Sequence, residues 1–214
     1  MGLRRTRVKI CGITRIDDAL AAAAAGADAI GLVFYAASPR SIGIDQAAAI
    51  CAALPPFVSA VGLFVDADAE AVQSVLRQVP LSALQFHGDE APPFCAQFRR
   101  PYLKALRMRD DLDLTAAAQQ FSRASALLLD TYRAGVAGGT GESFDWERVP
   151  SAMAPRIVLA GGLKPGNVEQ AIIQVRPYAV DVSGGVESAP GIKDAAMVQS
   201  FIAAVRRADQ IGVQ

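Results

Sequence analysis

A chain of 214 residues, 52% of them hydrophobic, can fill one large core or two small ones. Its 21 basic and 21 acidic residues balance and form no long single-sign runs, which argues against a nucleic-acid partner and a polybasic membrane tether. The basic start, Met1-Gly2-Leu3-Arg4-Arg5, precedes no signal-type apolar stretch, and the apolar runs stop short of a membrane span, so the expected location is cytoplasmic.

Short β-rich runs recur in chain order at Val8 to Cys11, Ala29 to Phe34, Val58 to Phe64, Leu81 to Phe86, Tyr102 to Leu106, Ala126 to Leu129, Arg156 to Leu159 and Ala179 to Val182. Between them, helical spacing predicts buried faces made by Val72, Val75, Leu76 and Val79, by Val168, Ala171, Ile172 and Val175, and by Val198, Phe201, Ile202 and Val205. The segment 16–25 is alanine-rich on every side, so its helix is predicted while its packing face is not. Pro80 and Pro177 follow their helices as stop signals.

Continuously apolar strands imply a sheet covered on both faces, and βα alternation makes that sheet parallel. Eight units across residues 1–214 predict a single (β/α)8 TIM barrel domain, with the active site at the C-terminal strand ends. A doubly wound open sheet is the alternative, but the first strand leads into Cys11-Gly12-Ile13-Thr14 without a GxGxxG phosphate loop.

Polar residues gather where these strands end. Cys11 is a thiol at the end of the first strand, and Lys9 shares its strand face, which poises the thiol for chemistry; a small packed core residue is the bland alternative. Arg40, after strand two, is suited to a bidentate hold on a carboxylate. Asp130 ends the run Leu127-Leu128-Leu129 and in a closed barrel would face Cys11 across the mouth, an acid and a base able to act on different atoms of one ligand. Gly161-Gly162 after strand seven and Ser183-Gly184-Gly185 after strand eight occupy the usual phosphate position of such barrels. Gly138-Gly139-Thr140-Gly141 after strand six is a third glycine-rich stretch, able to act as a cover or add donors. Barrel closure makes strands eight and one neighbours and would bring Asp181 close to Lys9, so that Lys9 either pairs with Asp181 and only fills the polar barrel interior or, oriented by that pair, also lends its charge to the thiol.

The three cysteines, at 11, 51 and 95, lack metal-ligand spacing and fit a reducing compartment; no metal site is expected. The one histidine, His87, excludes a three-histidine zinc site, so the expected proton carriers are Cys, Asp or Glu. His87 itself reads as a polar or substrate-contacting residue outside the catalytic set.

Taken together, Lys9-Ile10-Cys11-Gly12-Ile13-Thr14, Ser38-Pro39-Arg40, Gln85-Phe86-His87-Gly88-Asp89, Leu129-Asp130-Thr131, Gly138 to Gly141 with Phe144-Asp145-Trp146, Ala160-Gly161-Gly162-Leu163, Val180 to Glu187 and Pro190 to Asp194 resemble the phosphoribosylanthranilate isomerase family of tryptophan biosynthesis. No one of these motifs suffices; their joint order along nearly the whole chain carries the resemblance. It implies a barrel enzyme that performs an Amadori rearrangement without cofactor. On that resemblance Asp130 is the general acid that opens the ribose ring, Cys11 is the general base at C2′, and Arg40 holds the anthranilate end. The implied substrate-binding set is Lys9, Arg40, Gly161, Gly162, Asp181, Ser183, Gly184 and Gly185. Gly184 departs from the family, where serine is frequent, and so contributes backbone donors only. The expected partner is a small phosphorylated substrate, and the expected state is a monomer or weak homodimer.

An ordinary thiol of pKa about 8.5 is only about 3% thiolate at pH 7, so a base role for Cys11 calls for nearby positive charge, which Lys9 is placed to supply. Two rival functions remain open on sequence: a histidine-pathway isomerase on a similar barrel, whose family uses two aspartates, and a non-catalytic binder of phosphorylated ligands.

Overall fold

The computed structural model describes residues 5–131 and 143–211. Strands and helices alternate: β1 (Arg7–Ile10), α1 (Ile16–Ala25), β2 (Ala29–Val33), α2 (Ile44–Ala53), β3 (Ser59–Phe64), α3 (Ala69–Gln78), β4 (Ala83–Phe86), α4 (Pro92–Ala96), β5 (Tyr102–Met108), α5 (Leu114–Gln120) and β6 (Ala126–Thr131). Two 3-10 turns (Trp146–Arg148 and Ala154–Arg156) lead into β7 (Ile157–Leu159), and no α-helix separates β6 from β7 among the described residues. Then come α6 (Val168–Val175), β8 (Ala179–Val182), a 3-10 turn at Gly184–Val186, a small hairpin of β9 (Glu187–Ala189) and β10 (Ile192–Lys193), and α7 (Ala195–Ile211). Strands β1 to β8 pair in sequence order, all parallel, and β8 closes on β1. This closed barrel is the predicted fold class and excludes the open sheet.

The alternation of side chains along each strand divides the core into two shells. Ile10, Ile30, Leu32, Phe64, Leu84, Phe86, Leu127, Leu129 and Val180 point outward and pack with the helices. Inside the barrel, Ala105, Ala126, Leu128, Val158, Ala160 and Ala179 fill one layer, and Cys11, Val33 and Leu63 form another towards the mouth. The inward register therefore carries Lys9 of β1 with Cys11 just beyond its end, Gln85 of β4 with His87 just beyond its end, Asp130 of β6 and Asp181 of β8.

The predicted helix faces bury as their spacing requires: α6 through Val168, Ala171, Ile172 and Val175, and α7 through Val198, Phe201, Ile202 and Val205. On α3, Val72 and Val75 are buried, and Asp68 caps the helix by accepting from the Ala71 N–H at 2.7 Å. The alanine-rich α1 buries Ala19, Ala22 and also Asp18, whose Oδ2 accepts the backbone N–H of Lys193 at 3.0 Å. Strand β6 extends through Asp130 and Thr131 because these residues continue the pairing with Arg107 and Met108 of β5. Asp130 is thus held on the strand itself. A buried ion pair, Lys104 Nζ to Glu90 Oε2 at 2.8 Å, clasps the loops after β3 and β4: Lys104 also donates to the Gly88 carbonyl, while Glu90 accepts the N–H groups of Asp66 and Gly88.

Candidate active site

A cavity of about 930 Å³ opens at the C-terminal ends of the strands, within the size range of small-molecule sites. Its walls bring together Cys11, Arg40, Asp130, Gly161, Gly162, Asp181, Ser183, Gly184 and Gly185, all nominated from the sequence. Lys9 does not line it: it lies buried below, its Nζ 2.9 Å from Asp181 Oδ1. The glycine-rich stretch 138–141 falls outside the described residues.

Cys11 follows β1, and its N–H donates to the Val182 carbonyl at 2.8 Å, carrying the β1–β8 ladder one residue further. Gly31 on β2 leaves the space that the thiol fills, since a Cβ there would stand 2.6 Å from Cys11 Sγ. Burial, the largest influence, pushes the Cys11 thiol above its ordinary range; Lys9 pulls it down, Asp181 pushes it up again, and burial prevails. Burial also works against the Lys9 ammonium, but Asp181 and the neighbouring Cys11 outweigh it and hold Lys9 above its ordinary value. The charge expected from Lys9 therefore acts on the thiol in the anticipated direction without setting the net result.

Asp130 Oδ1 accepts its neighbour's amide, Thr131 N–H, at 2.8 Å, and Oδ2 lies 3.2 Å from His87 Nε2. His87 Nδ1 in turn lies 2.9 Å from the Gln85 amide nitrogen. In that orientation Gln85 donates to Nδ1, which leaves the ring hydrogen on Nε2, facing the Asp130 carboxyl group. Gln85 Oε1 is buried with no hydrogen-bond partner among the described residues.

Gly161 and Gly162, at φ of 78° and 65°, occupy the left-handed region, and a Cβ on Gly161 would collide with Thr131. A Cβ on Gly185 would stand 1.9 Å from the Leu163 carbonyl, so the loops after β7 and β8 interlock through a backbone contact that only glycine permits. Facing them, Arg40 binds Glu187 through two hydrogen bonds, Nε to Oε1 at 2.8 Å and Nη2 to Oε2 at 2.7 Å. Lys193 Nζ reaches Glu187 Oε1 at 2.6 Å and the Ser183 carbonyl at 3.2 Å. Sequence reasoning does not single out Glu187 or Lys193, and it keeps His87 outside the catalytic set; the structure places all three on nominated residues. The signal for His87 was its strand: two residues after Gln85, it continues the inward face of β4.

A closed parallel barrel with a thiol, a carboxylate and two glycine-bearing loops around one mouth has the layout of the barrel enzymes. The family model for N-(5'phosphoribosyl)anthranilate (PRA) isomerase matches residues 8–204. The N-(5'-phosphoribosyl)anthranilate isomerase of Pseudomonas putida (strain W619) is 61% identical over 206 residues, covering 96% of this chain and all of that protein. The crystal structure of phosphoribosyl anthranilate isomerase from Thermotoga maritima superposes with a TM-score of 0.84 at 41% identity, covering 94% of this chain and 99% of the other. A second solved structure, of a phosphoribosyl anthranilate isomerase in complex with reduced 1-(o-carboxyphenylamino)-1-deoxyribulose 5-phosphate, has a TM-score of 0.81 at 40% identity and covers the same shares. The chain belongs to the phosphoribosylanthranilate isomerase family and is an isomerase of tryptophan biosynthesis.

Proposed function

We propose that the chain converts N-(5′-phosphoribosyl)anthranilate to 1-(o-carboxyphenylamino)-1-deoxyribulose 5-phosphate, with Asp130 as general acid and Cys11 as general base. The observation that carries this assignment is the meeting of both residues in one cavity whose far wall is built from the two glycine loops. Asp130 gives a proton to the ring oxygen as the C1′–O bond breaks, and the nitrogen lone pair forms the C1′=N bond of a protonated Schiff base. That cation acidifies C2′, and the Cys11 thiolate removes the C2′ proton while the electron pair moves into a C1′=C2′ enolamine. Loss of the C2′ hydroxyl proton and gain of one at C1′ yield the ketone, so the product is an isomer of the substrate. A buried thiol is scarce as thiolate at neutral pH, but each thiolate is the stronger base, which suits abstraction from carbon.

The substrate-binding roles follow from the same walls. The loops after β7 and β8, with Gly161, Gly162, Ser183, Gly184 and Gly185, take the phosphate; Arg40 takes the anthranilate carboxylate; Asp181 and Lys9 support the floor beneath the thiol. A fluorescence assay of purified protein, following loss of phosphoribosylanthranilate and identifying the ketone product, tests the reading. Turnover supports it; an inactive protein that is merely stabilised by phosphorylated ligands would contradict it.

A further inference from the structure

Glu187 is the residue on which the polar groups beyond the catalytic pair converge. Its Oε1 accepts from Arg40 Nε, from Lys193 Nζ and, at 3.3 Å, from the Gly191 N–H, while Oε2 accepts from Arg40 Nη2. Its side chain is 5% exposed and that of Lys193 is 1% exposed, whereas Arg40 retains 18% and lines the cavity. The carboxylate thus joins the loop after β2 to the hairpin after β8 from inside the wall. Arg40 is confined on its other sides as well: a Cβ on Gly12 would stand 2.5 Å from Arg40 Cδ, and one on Gly184 would stand 3.2 Å from Nη2.

A planar guanidinium offers two edges for bidentate pairing, one made by Nε with one terminal nitrogen and one made by the two terminal nitrogens. Glu187 occupies the first. The second, made by Nη1 and the remaining Nη2 hydrogen, has no partner among the described residues. A guanidinium held by one edge loses little freedom when the other edge is used, so its binding energy goes to the ligand and not to ordering the arginine.

We propose that Glu187 is a positioning and specificity-determining residue, which fixes Arg40 by its Nε/Nη2 edge so that the Nη1/Nη2 edge is presented to the carboxylate on the substrate's aromatic ring. The inference rests on the reading that Arg40 takes that carboxylate. It makes the preference for a carboxylated aglycone a property of the pair. The opposing possibility is that Glu187 occupies Arg40 as a competitor, to be displaced when substrate arrives.

The test compares binding of two ligands, reduced 1-(o-carboxyphenylamino)-1-deoxyribulose 5-phosphate and the same compound without the ring carboxylate. In the unaltered protein the carboxylated ligand binds more tightly. Glu187→Gln is expected to weaken the carboxylated ligand by about tenfold and to leave the other within about twofold, the scale of a charge-assisted hydrogen-bond pair. In an Arg40→Ala background Glu187→Gln has no further effect on either ligand. Glu187→Asp, which keeps the charge but withdraws it, lowers the same preference in case the glutamine variant folds poorly. Equal weakening of both ligands would reduce Glu187 to a structural role and overturn the proposal, and tighter binding of the carboxylated ligand would show a competitor and overturn it too. No carboxylate preference in the unaltered protein would defeat the reading of Arg40 and this inference with it. A preference that Arg40→Ala abolishes and Glu187→Gln spares would defeat this inference alone.

Discussion

Lys9 and Asp181 stand opposite each other on adjacent strands, paired in register across the closure of β1 on β8, with their charged groups 2.9 Å apart beneath Cys11. The Lys9 ammonium favours the Cys11 thiolate, but the carboxylate that holds it there disfavours the same anion. Asp181→Asn is therefore expected to make Cys11 more acidic, and Lys9→Met to make it less so. Alkylation rate against pH, read beside thiolate absorbance, measures both. Because the thiol's pKa is raised in the folded protein, the fraction of base grows with pH through the neutral range, and kcat/KM should rise with it. That rise should move to lower pH in Asp181→Asn and to higher pH in Lys9→Met; movement the other way would contradict this electrostatic account.

His87 touches Asp130 and is itself held by Gln85. Removing a hydrogen bond to an ionisable group costs enough to slow a step that depends on it by about tenfold. His87→Ala should lower kcat by about that factor with KM little changed, a smaller loss than Asp130→Asn gives. Single-turnover kinetics separate the two, and a fall in substrate affinity with kcat intact would instead make His87 a binding residue.

The contact between Gly185 and the Leu163 carbonyl leaves no room for a side chain. Gly185→Ala must push apart the two loops assigned to the phosphate, and forced backbone adjustments of this kind cost about 1–3 kcal/mol. KM is expected to rise about tenfold or more. Gly43, where an added Cβ meets nothing within 4 Å among the described residues, supplies the control: Gly43→Ala should leave KM unchanged.

Breaking the Lys104–Glu90 clasp tests stability apart from chemistry. Lys104→Met would strand a carboxylate whose side chain is 3% exposed, and leaving one partner of a buried pair costs about 3–5 kcal/mol. At about 2–4 °C per kcal/mol for a chain of this size, Tm should fall by roughly 6 °C or more. Lys104→Met/Glu90→Leu, which removes both charges, should recover part of the loss; no recovery would mean that the loop amides bound by Glu90 matter more than the charge pair.

The sequence was most informative where a pattern is short-range. The buried faces of α6 and α7 lie at helical spacing, and the strand runs were apolar enough to be found within a residue or two of their ends. The apolar run of β6 stops short of the strand's end because Asp130 interrupts it, although the backbone pairing with Arg107 continues through it. The partners of Arg40 and Asp130 were hidden for a different reason. Glu187 lies 147 positions from Arg40 and His87 lies 43 from Asp130, and a single charge or imidazole in a loop looks the same whether it faces solvent or a cavity. Lys9 and Asp181 are farther apart still, by 172 positions, yet their pairing was foreseeable, because barrel closure alone makes strands one and eight neighbours. Alanine gives α1 its helix but no readable face, and the reason for burying Asp18 lies 175 positions away, in the Lys193 N–H that its carboxylate accepts.

The division of labour between Cys11 and Asp130 is tested most directly by kcat for phosphoribosylanthranilate in Cys11→Ala and Asp130→Asn, with each variant checked for retained binding of the reduced product analogue. Each should lose at least about a hundredfold in kcat while still binding the analogue, the lower end for loss of a general acid or base. Near-normal turnover in Cys11→Ala would remove the base from the mechanism, and near-normal turnover in Asp130→Asn would remove the acid.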